Sequence, residues 1–431
     1  MEIYYQYQKY LEYLCEGLGH SDRNISLIDY CKGLMLPLER KSIEPIAAQN
    51  DPYNVRSKHQ SLHHFVADSE WSDKDILSRA YQWGIPFLKT GEKRTYWIVD
   101  DTGYRKKGKH SVGVAHQYLG QYGKQENCQV AVSLSLATDL GSIPIDYKLY
   151  LPKEWTDDPV RCEKAGVPDN ITFKTKPEIA IEQIKNAKRA NIPVGIALSD
   201  PGYGDNTKFR EELSAEGLLY ALGIKPGTTV WTSGNEPLAP KEWQGRGRKP
   251  VNLRRDPEHK PKSVKDVALE IPREEYRKIT WREGTNKKLF SYFARIRVHS
   301  ANKDFLRDEI RDEEWLVIEW PKGDNEPAKY WLSTMPVDIS FKELVNVIKM
   351  RWRIERDYEE LKQEFGLTHF EGRNWRGFHH HATLCIASYV FLMTWRLEHM
   401  DSKKKWTKPE TVRLPEDYKP RGSGARSEAC A

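Results

Sequence analysis

From about residue 93 the apolar period of the chain changes from helical to alternating, and the order of the segments beyond that point restricts the fold more than any other feature. TYWIVDD (95–101), CQVAVSLSLAT (128–138), IPIDYKLYL (143–151) and IPVGIALSD (192–200) are rich in β-branched and aromatic residues, with turn signals at Gly108, Gly123, Gly141 and Gly202. Between the third and fourth runs lies KPEIAIEQIKNAKRAN, with apolar residues at 180, 181, 184 and 187 on one helical face, and DNTKFREELSAEG forms a second helix after the fourth. Consecutive strands, then helix, strand and helix, predict an α/β fold whose sheet begins as a meander and ends in a crossover.

The flanking segments have other patterns. Residues 1–90 read as helical, broken by Pro37, Pro45, Pro52 and Pro86, with N-cap candidates at Asp68, Ser69 and Ser72. Arg40, Lys41, Arg56 and Lys58 suit either a DNA-docking bundle or a plain scaffold. Residues 225–338 hold a basic stretch rich in Pro and Gly (242–266), then strand-like runs at 288–298, 314–320 and 328–337, and so predict a β-rich insertion. Helical periodicity returns over 339–400, and 401–431 reads as a disordered tail. The expected organisation is therefore an N-terminal helical domain (1–90), a core in two parts (91–224 and 339–400) split by the insertion (225–338), and the tail.

Charge and cysteine usage narrow the function. With 68 Lys+Arg against 62 Asp+Glu in 431 residues the net charge is only +6, so a nucleic-acid surface has to be a local concentration of cations. The six cysteines contain no CxxC pair, which argues against a disulfide framework or zinc finger and for a reducing cytoplasmic compartment. The longest apolar run, 382–395, falls short of the roughly 20 residues a membrane span needs, and no signal peptide opens the chain.

Three carboxylates stand where chemistry gathers. Asp101, beside Asp100, ends the first strand, Asp200 ends a later one, and Glu355 lies on a helix. Strand ends of an α/β sheet line one edge, and oxygen ligands alone suit a hard cation such as Mg²⁺. Taken singly, each has a plainer reading: turn former or helix cap for the aspartates, solvated face for the glutamate. Arg351, Glu355, Tyr358 and Lys362, however, fall at i, i+4, i+7 and i+11. A helical stripe of cation, acid, phenol and cation is poor core material and a good phosphate-gripping surface.

The blocks WIVDDTGYRKKGKHSVGV (97–114), ALSDPGYGDN (197–206) and RWRIERDYEELKQEFGLTHFEGRNWRGFHHH (351–381) resemble bacterial insertion-sequence transposases of the DDE type, which have an RNase H-like (retroviral-integrase-like) core. The hairpin-forming branch carries Tyr, two residues, Arg, three residues, Glu, six residues, Lys. Arg351, Glu355 and Lys362 match it, while Ile348 stands at the Tyr position. The resemblance implies an RNase H-like mixed sheet flanked by helices, with a β-rich insertion before the last catalytic helix. It also implies a metal-binding triad of Asp101, Asp200 and Glu355 holding two Mg²⁺, with Mn²⁺ able to substitute. Asp101 is preferred to Asp100 because Thr102 comes next and because alternation sends the two acids to opposite faces.

By the same resemblance the substrates are double-stranded DNA, as terminal inverted repeats and target DNA, and the DNA complex is a homodimer, with nucleoid-associated chemistry of cut-and-paste transposition. Arg351, Lys362, Lys107 and Lys109 are candidate phosphate contacts; Arg246 and Arg248 in GRGRKP resemble a minor-groove arginine hook; Trp331, with Tyr330, is a candidate for base stacking. His379, His380 and His381 lack zinc-ligand spacing and read as a helix start with at most one ring facing DNA. Two other readings compete: a domesticated, non-catalytic DNA-binding protein on this fold, and another Mg²⁺-dependent nuclease or phosphohydrolase.

Overall fold

The structure is a computed structural model and describes residues 2–120, 123–283, 288–302 and 304–399; the expected tail at 401–431 lies outside the described residues. Five helices come first: α1 (Glu2–Cys15), α2 (Asn24–Met35), α3 (Ile43–Asn50), α4 (Val55–Ala67) and α5 (Asp73–Gly84). Of the three cap candidates, Ser72 caps α5 by accepting from the Asp75 amide, and Asp68 ends α4. Next come β1 (Tyr96–Arg105), β2 (Ala115–Leu119), β3 (Lys124–Ala137), β4 (Ser142–Tyr150), the short α6 (Lys153–Thr156) and α7 (Pro159–Lys164), and α8 (Lys176–Arg189). β5 (Ile196–Ser199), α9 (Pro201–Gly204), α10 (Thr207–Ala215) and β6 (Tyr220–Ile224) complete this part.

β4–β3–β1–β5–β6 lie side by side, with β1 antiparallel to β3 and parallel to β5, and β5 parallel to β6. Three antiparallel strands and then two parallel crossovers give the mixed sheet of an RNase H-like fold. The insertion extends this sheet instead of standing apart from it. Its strands are β7 (Thr229–Thr232), β8 (Lys262–Ser263), β9 (Arg277–Glu283), β10 (Lys288–Ser300), β11 (Glu313–Trp320) and β12 (Lys329–Ser333), with α11 (Val264–Glu270) between β8 and β9. β12 pairs antiparallel with β6, so among the described residues all twelve strands join one sheet.

The chain closes with α12 (Phe341–Lys349), α13 (Trp352–Gln363) and α14 (Trp375–Glu398). The single helical pattern of the sequence here breaks at Met350–Arg351. α12 thereby buries Leu344, Val347 and Ile348, while α13 buries Ile354, Tyr358 and Leu361.

Alternation along β1 divides the core. Tyr96 and Ile98 pack with Leu344, Ile348, Ile354 and Tyr358 on the α12–α13 face; Trp97 and Val99 pack with Ala180 and Ile184 of α8 on the other. The N-terminal helices share that second core: Leu11, Leu34 and Phe65 join one cluster with Ile386, Val390 and Phe391 of α14. Two of the three consecutive histidines, His380 and His381, hold this seam together, while His379 accepts from the Leu149 amide of β4 at 3.3 Å; all three are buried, so none faces DNA. His380 lies 2.9 Å from both the Val66 and the Trp71 carbonyl oxygens, and His381 Nδ1 lies 2.8 Å from the Tyr30 hydroxyl. They point inward because α14 is wrapped on every side, leaving no solvent face for a polar ring. Lys41 is also turned in: its ammonium donates to the Leu34 carbonyl, and burial pushes it down to about 8. No helix among the described residues is long and apolar enough to cross a membrane.

Candidate active site

β5 pairs with β1 only as far as Ile98. Beyond that point the chain leaves the sheet at Asp200, whose carboxylate accepts from the Gly202 amide at 2.9 Å and caps α9. β1 continues past β5, and a cleft of about 1050 Å³ opens along its freed edge. Asp100 and Asp101 do lie on opposite faces, yet both reach this cleft, because without a neighbouring strand the edge is accessible from either side. Asp200, Arg351, Glu355, Tyr358 and Lys362 line it too. Residues more than 250 positions apart in the chain thus meet, and the stripe on α13 faces the acids.

Charge pairing in the cleft is extensive. Arg351 donates to Asp100 Oδ2 at 2.8 Å and also to the Glu355 carboxylate. Tyr358 donates to the Asp100 carbonyl at 3.1 Å and lies 2.7 Å from Ser133 Oγ, which fixes α13 to β1 and β3. Lys362 reaches the Gly103 carbonyl at 3.3 Å. On the other face of β1, Asp101 Oδ2 accepts from Lys176 Nζ at 2.9 Å and Oδ1 from the Tyr203 hydroxyl at 3.1 Å.

Burial raises the Asp100 carboxyl to about 7 against the opposing pull of Arg351, with Asp200 and Asp101 adding to the rise. Asp200 is likewise raised, mainly by burial. Carboxyls held reluctantly charged in one place are a feature of functional clefts.

A hard cation suits this donor set of oxygens. As they stand, however, no three acids, histidines or cysteines among the described residues surround a common point. The Arg351 guanidinium bridges Asp100 and Glu355 and the Lys176 ammonium pairs with Asp101, so a metal would be admitted by rotation of these side chains.

The other residues singled out in the sequence lie elsewhere. Lys107 and Lys109 are exposed beyond β1, and Arg246 and Arg248 are exposed between β7 and β8. Trp331 is half-buried on β12, where Lys349 lies 5.3 Å from its ring centre, and Tyr330 is buried. Ile348, at the position of the signature tyrosine, is 3% exposed and belongs to the core. Lys176 and Tyr203, which hold Asp101, and Lys225, which also lines the cleft, are not among the residues the sequence singles out. For Lys176 a signal existed: it opens α8, where the helix dipole disfavours a cation.

Comparisons with known proteins point to a family. The probable transposase for insertion sequence element IS701 of Microchaete diplosiphon is 28% identical over 213 residues, 49% of this chain and 52% of that protein. The chain spans about half the length of this curated relative. A family model described as DDE superfamily endonuclease matches residues 13–288, a stretch from α1 through both strand-borne aspartates into the insertion. The match takes in well over half of the sequence, and the chain belongs to the DDE superfamily endonucleases.

Proposed function

We propose that this chain is a DNA transposase of the hairpin-forming DDE branch, cutting and rejoining DNA at the inverted-repeat ends of its own insertion sequence. The observation that carries this reading is the meeting of Asp101, Asp200 and Glu355 with Arg351 and Lys362 in one cleft of an RNase H-like sheet. DDE endonucleases generally use divalent metals. Here Asp101, Asp200 and Glu355 would hold two Mg²⁺, or Mn²⁺ in their place, which supply Lewis-acid activation for phosphoryl transfer.

The protein's own groups do the rest. Asp200 is oriented by the Gly202 amide. Arg351 and Lys362 flank Glu355 on its helix and grip phosphates on either side of the scissile bond. Water opens the strand at the element's end, and the freed 3′-hydroxyl attacks the opposite strand to form a hairpin or attacks target DNA. Asp100 acts as the anchor for Arg351, while Asp101 is the acid that serves as ligand. Arg246 and Arg248 enter a narrow minor groove, Lys107 and Lys109 contact the backbone, and Trp331 stacks on a base once Lys349 yields its place. The N-terminal helices and the insertion bind the inverted repeats, two copies acting in one DNA complex.

Purified protein, end-labelled inverted-repeat DNA and Mg²⁺ give nicks at the element boundary under this reading. Asp200→Ala abolishes cleavage and leaves binding largely intact; a variant that cuts normally refutes the assignment. The pairing of Asp100, Asp101 and Glu355 with protein cations favours one rival, a non-catalytic DNA-binding protein on the same fold. Binding without any metal-dependent nick would select it.

A further inference from the structure

Lys176 occupies the first position of α8, behind the Thr175 cap and capping box. Nothing in the helix calls for a cation there, since the free amides of a first turn already present positive charge. Its ion pair among the described residues is with Asp101, 2.9 Å away, and Tyr203 satisfies the other oxygen of that carboxylate. The lysine side chain is 30% exposed and lines the same cleft as the acids, so its four-carbon stem has room to swing toward solvent. A divalent cation on Asp101 Oδ2 would stand within a few ångströms of the ammonium already there. Like charges that close repel strongly in a partly dry cleft.

We propose that Lys176 is a resident counter-ion of Asp101, given up when a divalent cation enters and transferred to a phosphate of bound DNA. The proposal rests on the metal-dependent reading above and adds a positioning residue to it. Its consequence is thermodynamic. DNA phosphates draw the ammonium from Asp101 and thereby favour the metal, and by reciprocity the metal frees a cation for DNA. In the absence of DNA the lysine keeps Asp101 neutralised and the site poorly receptive. A nuclease built this way charges itself on its substrate.

The test is Mn²⁺ titration of the full chain, read by electron paramagnetic resonance of the free ion, with and without a mixed-sequence duplex oligonucleotide. Wild-type protein gains Mn²⁺ affinity on adding duplex, by roughly the 5- to 150-fold that such couplings span. Lys176→Met binds Mn²⁺ more tightly than wild type without DNA, by a factor in that same range, and gains little more from duplex. Lys176→Arg keeps the cation and titrates like wild type; Lys176→Gln substitutes for the methionine variant should that one fold poorly. Equal Mn²⁺ affinity of wild type and Lys176→Met without DNA overturns the counter-ion role while leaving the metal site standing. Failure of every protein to bind Mn²⁺, with or without duplex, overturns both.

Discussion

His381 sits where the N-terminal helices meet α14, and acid should loosen that seam by a calculable amount. The ring is 1% exposed; Nδ1 accepts from the Tyr30 hydroxyl at 2.8 Å and Nε2 donates to the Gly366 carbonyl at 3.0 Å. Both nitrogens are thus satisfied in the neutral form, and a second ring proton would put an uncompensated charge in the core and turn the Tyr30 hydroxyl proton away from Nδ1. Burial accordingly pushes the imidazole down from 6.5 to about 4. The native state binds fewer protons than the unfolded chain, so this contribution to stability is complete above pH 6.5 and is lost as pH falls from 6.5 through 4. Integration gives a loss of about 2 kcal/mol by about pH 5, tending to about 3 kcal/mol once both states are protonated. The assay is urea unfolding of wild type and His381→Gln at about pH 7.5 and about pH 5. The variant is less stable at both values because it lacks the two bonds, but its decline between them is about 2 kcal/mol smaller. His379 and His380 titrate in both proteins and cancel. Equal declines in the two would refute the neutral, buried assignment of this ring.

Other expectations concern the insertion, the sheet and the cleft. Lys349 pairs with Glu319 at 2.6 Å, with the Trp281, Phe293 and Trp331 rings around it; Lys349→Met leaves a 3%-exposed carboxylate unpaired and costs about 3–5 kcal/mol in urea unfolding, much of it restored by Glu319→Gln. At Gly204 a Cβ would stand 2.1 Å from the Gly223 carbonyl oxygen, so Gly204→Ala forces α9 off β6, costs about 1–3 kcal/mol and lowers cleavage by displacing Asp200. Mg²⁺ at about 100 times its dissociation constant raises the stability of wild type by about 2.7 kcal/mol, read as a melting shift, and an equal shift in Asp200→Asn would contradict metal binding there. Replacing exposed Arg246 and Arg248 by Ala leaves melting unchanged and flattens the salt dependence of DNA binding by about 0.9 for each phosphate no longer neutralised; an unchanged slope removes the loop from the DNA surface.

Short-range periodicity determined a good deal by itself. The alternation in TYWIVDD and IPVGIALSD gives β1 and β5, and KPEIAIEQIKNAKRAN gives α8; Asp200 follows the end of β5 as expected, but Asp101 does not end β1, which pairs with β3 on to Arg105 and leaves both acids in mid-strand. The spacing of Arg351, Glu355, Tyr358 and Lys362 gives one face of α13, because a helix repeats about every 3.6 residues wherever it packs. Long-range pairing decided the rest. That β5 releases β1 after Ile98, and so lets Asp100 and Asp101 both into the cleft, depends on a register between segments roughly a hundred residues apart. That the insertion joins the main sheet through β12, and that the histidines turn inward, His381 onto α2, His380 onto α4 and His379 onto β4, depends on which surfaces remain to be covered once the sheet has formed. Lys176 stands at the wrong end of a helix for the dipole, but its partner Asp101 lies 75 residues upstream. Local sequence sets which side chains share a face; which faces meet is set by burial of the whole chain, and only that brings opposite charges into one cleft.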